Sequence, residues 1–245
     1  MIQSPNRHRT IGVIIPALNE AENLLRVLNI VGAAGWVERI VIVDDGSTDS
    51  TLDIARQFAA RDERALVIHK LENQGKAAAM LTGVQALSTE LVMFLDADLV
   101  GLQPCHLEEL YKPVNSGFCK MTIATFQHGS LLTDASHRVA PNLSGQRCLS
   151  RWEAEQALIP LVTTRYGVEM GLTIYARNRE WQIKNIIWDG VTHRMKEQKR
   201  KVFAGLYSRW QMYRQIMAIV AEPRYKSGRG IRWLRTIKRA RMTLR

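Results

Sequence analysis

The run Leu91 to Val100, LVMFLDADLV, constrains the fold more than any other part of the chain. Five uncharged residues, Leu91 to Leu95, pass directly into Asp96 and Asp98, with only Ala97 between the carboxylates. A short apolar run bounded by polar residues reads as a strand buried on both faces, as in a parallel sheet. Ligands of open α/β sheets bind outside the carboxyl ends of such strands, where the winding direction switches. The two acids therefore stand where a ligand would sit. Carboxylates a residue apart repel one another, and a hard divalent cation, Mg2+ or Mn2+, is the simplest compensation. Mg2+ is typically held by one or two carboxylates, with water and substrate phosphates completing its shell, so the pair suggests a phosphate-bearing ligand. Taken alone, the tripeptide is equally compatible with a helix-capping Asp96 beside a solvated Asp98.

The rest of the first hundred residues repeats this grammar. Thr10 to Ile15, TIGVII, predicts a first strand ended by Pro16, and Glu20 to Val31 carries leucine and valine at helical spacing, with Asn19 as N-cap. Trp36 to Val43 predicts a second strand, closing on Asp44-Asp45-Gly46-Ser47-Thr48-Asp49, and Ser47 or Thr48 can cap a helix running to about Ala60. Asp44, Asp49 and Asn19 fit turn chemistry as well as they fit a site. Leu66 to His69 predicts a third strand. Asn73-Gln74-Gly75-Lys76 then opens an alanine-rich helix, Ala77 to Leu87, whose N-terminal amides and lysine suit a phosphate. Alternating strands and helices with short connections are the pattern of a doubly wound sheet. Beyond Val100 the alternation loosens: Pro104 to Val114 predicts a helix, Phe118 to Thr125 a strand, Ser144 to Leu158 a helix, and Leu172 to Arg177 and Ile183 to Trp188 two further strands.

Four strand-end segments, PALNEAENL, VDDGSTDST, NQGKAAAM and FLDADL, match glycosyltransferase family 2 in order and spacing. The chain resembles these nucleotide-sugar-dependent enzymes across roughly its first 100 residues. The resemblance implies an α/β fold: a Rossmann-like, mostly parallel sheet flanked by helices, the A-type glycosyltransferase fold, here with a basic helical C-terminal extension. It implies that Pro16, Ala17, Leu18, Glu20, Asp45, Gly75, Lys76, Asp96 and Ala97 bind the nucleotide sugar. Asp45 would accept from the base or ribose, Lys76 would lie near the diphosphate, and Asp98 would ligate the Mg2+ or Mn2+ that bridges it. The segments NLSGQR and YGVEMG look like the acceptor half of glucosyl-3-phosphoglycerate synthases and of enzymes that glycosylate polyprenyl phosphates. That likeness implies Ser144, Gly145 and Arg147 at the acceptor, Glu169 beside the reacting sugar, and His193 as a second metal ligand. Glu169, Asp96 and Lys76 would carry the catalysis. A lone histidine is otherwise weak as a signal, and Glu169 also suits the N-terminus of a helix. Two departures stand out: Val100 replaces a glutamine common in polyprenyl-phosphate mannosyl enzymes, and the chain has no Q-x-x-R-W element, which argues against a processive polysaccharide synthase.

Charge divides the chain in two. Residues 192–245 hold 16 Lys or Arg against 2 Glu, whereas residues 1–191 carry 18 against 21. This suggests a glycosyltransferase domain over 1–191, its nucleotide-sugar half ending near 100 and its acceptor half following, and an extension over 192–245 with a separate electrostatic role. Phe203, Leu206, Tyr207, Trp210, Tyr213, Met217 and Val220 form an amphipathic stripe within that extension. Basic amphipathic helices with Trp and Tyr suit an anionic membrane surface; the alternatives are packing on the body followed by a solvated tail, and nucleic acid, which is not expected because the body already accounts for phosphate binding. The three cysteines, Cys105, Cys119 and Cys148, form no paired spacing and are assigned no role. No signal-peptide core and no run approaching about 20 apolar residues is present, so a cytoplasmic protein is expected, peripheral at the inner membrane face if the extension binds there.

The function implied is metal-dependent transfer of a hexose from a UDP- or GDP-sugar to a lipid or small-molecule acceptor, a polyprenyl phosphate or a soluble phosphorylated acid such as 3-phosphoglycerate. A sugar-phosphate nucleotidyltransferase would want a Gly-rich basic loop after the first strand, where Pro16 to Glu20 stands. A non-catalytic nucleotide-sugar-binding module would have no need of Asp96, Asp98, Lys76 and Glu169 together.

Overall fold

The computed structural model describes residues 8–127, 144–162 and 167–193, the side chains of 127 and 193 excepted. Strands β1 (Ile11–Ala17), β2 (Arg39–Asp44), β3 (Ala65–His69) and β4 (Leu91–Phe94) alternate with helices α1 (Leu24–Ala33), α2 (Thr51–Ala59) and α3 (Lys76–Gln85). A two-residue β5 (Leu99–Val100), helix α4 (Pro104–Asn115), β6 (Met121–Gln127) and β7 (Arg147–Ser150) follow. The described chain continues with α5 (Arg151–Leu158), a 3-10 turn, α6 (Val168–Asn178), β8 (Ile183–Asp189) and β9 (Thr192–His193).

The seven-stranded sheet runs in the order β3-β2-β1-β4-β7-β6-β8. All pairs are parallel except those of β7, which is antiparallel to both β4 and β6. Alternation along the strands sends side chains to two cores, one on each face of the sheet. Ile11, Val13, Ile15, Ile40 and Ile42 pack with Leu24, Val27, Leu28 and Val31 of α1 and Leu107, Leu110 and Val114 of α4. Ile14, Val41, Val43, Val92 and Phe94 pack with Met80 and Val84 of α3, Leu158 of α5 and Leu172 of α6. Strands covered on both faces must be apolar throughout, which is why these runs are uninterrupted in the sequence.

Because β2 lies on one side of β1 and β4 on the other, the connections leaving β1 and β4 diverge at a topological switch point. Among the described residues no helix is long and apolar enough to cross a membrane.

Four expectations are corrected. Pro16 does not end β1, which continues to Ala17. Pairing with β4 stops at Ile14, so Pro16 is flanked by β2 alone and its missing N–H forfeits no bond on the other side. Asn19 is not a helix cap: it has a left-handed backbone, φ 54°, and α1 begins at Leu24. Residues 144–158 are not one helix, since strand β7 occupies Arg147–Ser150 before α5. Leu172 to Arg177 is not a strand but the middle of α6. Nearly every residue of that helix is buried, so it shows no polar stripe from which its period could be read. The amphipathic stripe of the extension lies outside the described residues.

Candidate active site

The loops at the carboxyl ends of β1, β2 and β3 are laced together before any ligand is considered. Asn19, an asparagine in the left-handed region that this residue tolerates better than most, donates its N–H to Ser47 Oγ (2.9 Å) and accepts from Thr48 N (2.8 Å). Glu20 N donates to Thr51 Oγ1 (2.8 Å), and Ala21 N donates to Asp49 Oδ2 (3.3 Å). Asp49 also accepts from Thr51 N, so its role is to fix the turn. Asp44 is fully buried at the end of β2 with His69 Nδ1 2.8 Å from its carboxylate. Gly46, at φ +80°, faces Asn73 N so closely that an added Cβ would stand 2.9 Å away.

Asp45 carries this lacing on to the third loop. Its two carboxylate oxygens accept from Gln74 N (3.1 Å) and Gly75 N (2.7 Å), which holds the chain in position to begin α3 at Lys76. Lys76 then reaches across the switch point. Its ammonium lies 2.6 Å from Asp96 Oδ1 at the end of β4 and 2.7 Å from Glu169 Oε1 in the first turn of α6. Burial alone would lower the lysine pKa. The charges of Asp96 and then Glu169, with the hydrogen bonds they accept, outweigh that cost and hold the ammonium protonated above its ordinary range.

A third layer stands behind this triad. Gln146, fully buried just before β7, donates from Nε2 to Asp96 Oδ2 (2.7 Å), and Ser144 Oγ donates to Gln146 Oε1 (2.6 Å). A Cβ on Gly145 would meet both Asp96 oxygens at 2.6 Å and the Lys76 nitrogen at 2.8 Å, so only glycine lets the backbone lie against the pair. Arg147 is buried completely. Its guanidinium donates to the Ser144 carbonyl from Nε (3.1 Å) and Nη2 (2.8 Å), and to Thr173 Oγ1 of α6 (3.2 Å). Burial pushes the guanidinium pKa down to about 10, against the pull of Glu169 and Asp96.

Pro16, Ala17, Leu18, Glu20, Asp45, Gly75, Lys76, Asp96 and Ala97, all expected at a nucleotide sugar, line one cleft of about 820 Å³. Asp98 and Glu169 line it too, as do Asn73 and Gln74, read in the sequence as part of the loop opening the third helix, and Ala79, which was given no role there. Ser144, Gly145 and Arg147 are not among the residues that line the cleft. They lie behind its charged wall, and the Arg147 guanidinium is turned to Ser144 and Thr173. The side chain of His193 lies outside the described residues; its backbone pairs with Leu99, next to Asp98.

The donor set decides whether a hard divalent cation fits. The cleft offers carboxylate oxygens: Asp96, engaged by Lys76 and Gln146, and Asp98 both line it. Among the described residues no group of three or more His, Cys, Asp or Glu side chains could enclose a metal. A site of this kind matches the mode of Mg2+, one or two protein carboxylates with substrate oxygens and water, and not a closed structural cage.

Comparison with known proteins follows the same line. The sequence profile described as Glycosyl transferase family 2 matches residues 12–214. The chain belongs to glycosyl transferase family 2. Among curated relatives, it is 38% identical over 91 residues to glycosyltransferase AglE of Haloferax volcanii, 36% of this chain and 30% of the relative. It is 31% identical over 121 residues to glucosyl-3-phosphoglycerate synthase of Mycobacterium tuberculosis, 47% of this chain and 37% of that one. With dodecaprenyl-phosphate galacturonate synthase of Rhizobium johnstonii it shares 34% over 100 residues, 39% of this chain and 30% of the relative. The matched segments thus span about a third of these relatives' lengths. A crystal structure of the Mycobacterium tuberculosis synthase in complex with phosphoglyceric acid superposes with a TM-score of 0.64 at 25% identity, covering 86% of this chain and 79% of that one. The same enzyme crystallised with Mn2+, UDP-glucose and phosphoglyceric acid superposes with a TM-score of 0.64 at 24% identity, over 89% and 80% of the two chains. The seven-stranded sheet flanked by helices is therefore the fold of these neighbours.

Proposed function

We propose that this protein transfers a hexose from a UDP- or GDP-sugar to a phosphate-bearing acceptor, with Mg2+ or Mn2+ at the donor diphosphate. The observation that carries the reading is the meeting of Lys76, of Asp96 and Asp98, and of Glu169, from three separate segments, in one cleft at the switch point of the sheet. Asp98 would hold the divalent ion, and His193 is proposed as its second protein ligand. When bound, that ion neutralises the charge of the diphosphate as it departs.

The chain's own groups do the rest. Asp45 sets the loop over which the nucleoside would lie and offers its remaining lone pairs to the base or ribose. Lys76 supplies positive charge where the leaving diphosphate gains negative charge. Asp96 orients the ribose or sugar, and Glu169 stands beside the reacting carbon, where a carboxylate can accept the acceptor's proton or stabilise positive charge on the sugar. Ser144, Gly145 and Arg147 shape the acceptor side from behind this wall.

Two acceptor classes are proposed. A lipid or polyprenyl phosphate at the cytoplasmic face of a membrane is favoured by the basic extension, which would hold the protein to anionic lipid, and by the likeness to dodecaprenyl-phosphate galacturonate synthase. A soluble phosphorylated acid is favoured by the fold shared with a synthase crystallised with phosphoglyceric acid. The test crosses UDP-glucose and GDP-mannose with 3-phosphoglycerate and a short polyprenyl phosphate, with Mn2+, following nucleoside diphosphate release and the glycosylated product by mass spectrometry. One pair should turn over well above donor hydrolysis. Absence of any transfer, or transfer undiminished in a Glu169→Ala, Lys76→Met double variant, would overturn the reading.

A further inference from the structure

Gln146 is not part of the cleft wall, yet it is the buried amide on which the orientation of Asp96 depends. The sheet dictates its place. β7 runs antiparallel to β4 with Arg147 opposite Phe94, so the residues preceding β7 come level with those following β4, and Gln146 meets Asp96. Its backbone carbonyl accepts from Ala124 N (3.0 Å), fixing the main chain between β6 and β4.

The amide can point only one way. Gln146 N donates to Ser144 Oγ (3.3 Å), so that oxygen serves as an acceptor and its proton is directed to Gln146 Oε1 at 2.6 Å. Ser144 is itself anchored through its carbonyl by Arg147. With Oε1 occupied by a donor, the NH2 group must face Asp96 Oδ2, where it stands at 2.7 Å. The reversed amide would set two acceptors against each other at that distance. Asp96 is therefore held on both oxygens by donors, Lys76 on Oδ1 and Gln146 on Oδ2, and is fixed in rotamer.

We infer that Gln146 is a positioning residue of the donor site: its amide, locked by Ser144, fixes the rotamer of Asp96. The inference rests on the proposed function for its binding readout, but the hydrogen bond itself can be tested without it. Gln146→Met removes the donor at nearly constant volume. Gln146→Glu keeps the shape and replaces the NH2 group by a carboxyl, which can donate to Asp96 only while protonated.

The experiment measures UDP-glucose and GDP-mannose affinity in the presence of Mn2+, and thermal melting, for the wild type and both variants between pH 5 and pH 8. Loss of one hydrogen bond to a charged group lowers affinity by about 10- to 100-fold. Gln146→Met should show that loss at every pH, whereas Gln146→Glu should bind within a few-fold of wild type at pH 5 and lose the full factor at pH 8, where two carboxylates oppose each other. Its melting temperature relative to wild type should fall over the same interval. Affinity ratios for Gln146→Glu that are flat with pH would overturn the inference while leaving the proposed function intact. If the wild type binds neither nucleotide sugar, the proposed function fails instead. The melting curves then decide: a pH-dependent deficit confined to Gln146→Glu supports the Gln146–Asp96 bond, and a flat one overturns it.

Discussion

Replacing Lys76 by methionine keeps the apolar stem of the side chain but deletes its ammonium, which leaves Asp96 and Glu169 facing each other. Their oxygens each lie within 2.7 Å of the Lys76 nitrogen, so they are separated by no more than the two contacts laid end to end. Two like charges about 5 Å apart repel by about 3 kcal/mol at an effective dielectric near 20. Asp96 and Glu169 are 16% and 18% exposed, so salt screens that repulsion only in part. Two charge-assisted hydrogen bonds are lost as well, but Lys76 itself is a third exposed, which reduces their weight. The net expectation is a destabilisation of about 2 to 4 kcal/mol at pH 8. The sign of the pH dependence follows from linkage. In the variant, one carboxyl of the pair is relieved by taking up a proton, so its folded pKa rises above its unfolded value. The stability this adds is present at low pH and is lost as pH rises through the raised value. In the wild type the lysine stays between the two acids, held protonated by them. Urea denaturation followed by tryptophan fluorescence at pH 5, 6.5 and 8 measures the difference. A deficit below about 0.5 kcal/mol, or one equal at pH 5 and pH 8, would refute the reasoning.

Other outcomes follow from the same contacts. Asp45→Ala removes the acceptor for both Gln74 N and Gly75 N and should cost about 2 to 3 kcal/mol in denaturant titration, with Asp45→Asn recovering roughly half. Gly145→Ala should fold but weaken nucleotide-sugar binding at least about tenfold in calorimetry, because its methyl group would displace Asp96 and Lys76 from each other. Burial pushes the thiols of Cys119 and Cys148 up, whereas Cys105 is exposed. A thiol reagent at pH 8 should therefore modify Cys105 in the native protein and all three only after denaturation, as peptide mass mapping would show.

How much of this was legible beforehand varies by element. Strands β1, β2 and β4 were readable because a strand covered on both faces is an apolar run closed by a polar loop, and the loops bear the acids. Asp45 and Asp96 inherited that legibility, each standing just past a strand end, and Lys76 did so as the first residue of the helix after β3. The second half was not built so. β7 is four residues long and begins with a buried arginine whose partners, Ser144 and Thr173, are set by the tertiary fold. Helix α6 is buried at nearly every position and has no polar stripe, so Leu172 to Arg177 reads as a strand. Gln146 gave no signal, because its importance arises from β7 being laid beside β4, a pairing across more than fifty residues that no local pattern encodes. Arg147, implied at the acceptor by the family resemblance, is fully buried and donates to the Ser144 carbonyl, contacts that no local pattern encodes.

The central claim is that a divalent ion held at Asp98 joins a nucleotide sugar to this cleft. Calorimetry of UDP-glucose and GDP-mannose with and without Mn2+, on the wild type and on Asp98→Ala, tests it most directly. One of the two sugars should bind the wild type with Mn2+ and far more weakly without it, and Asp98→Ala should bind equally weakly in both conditions. Tight binding that ignores the metal and survives Asp98→Ala unchanged would contradict the account.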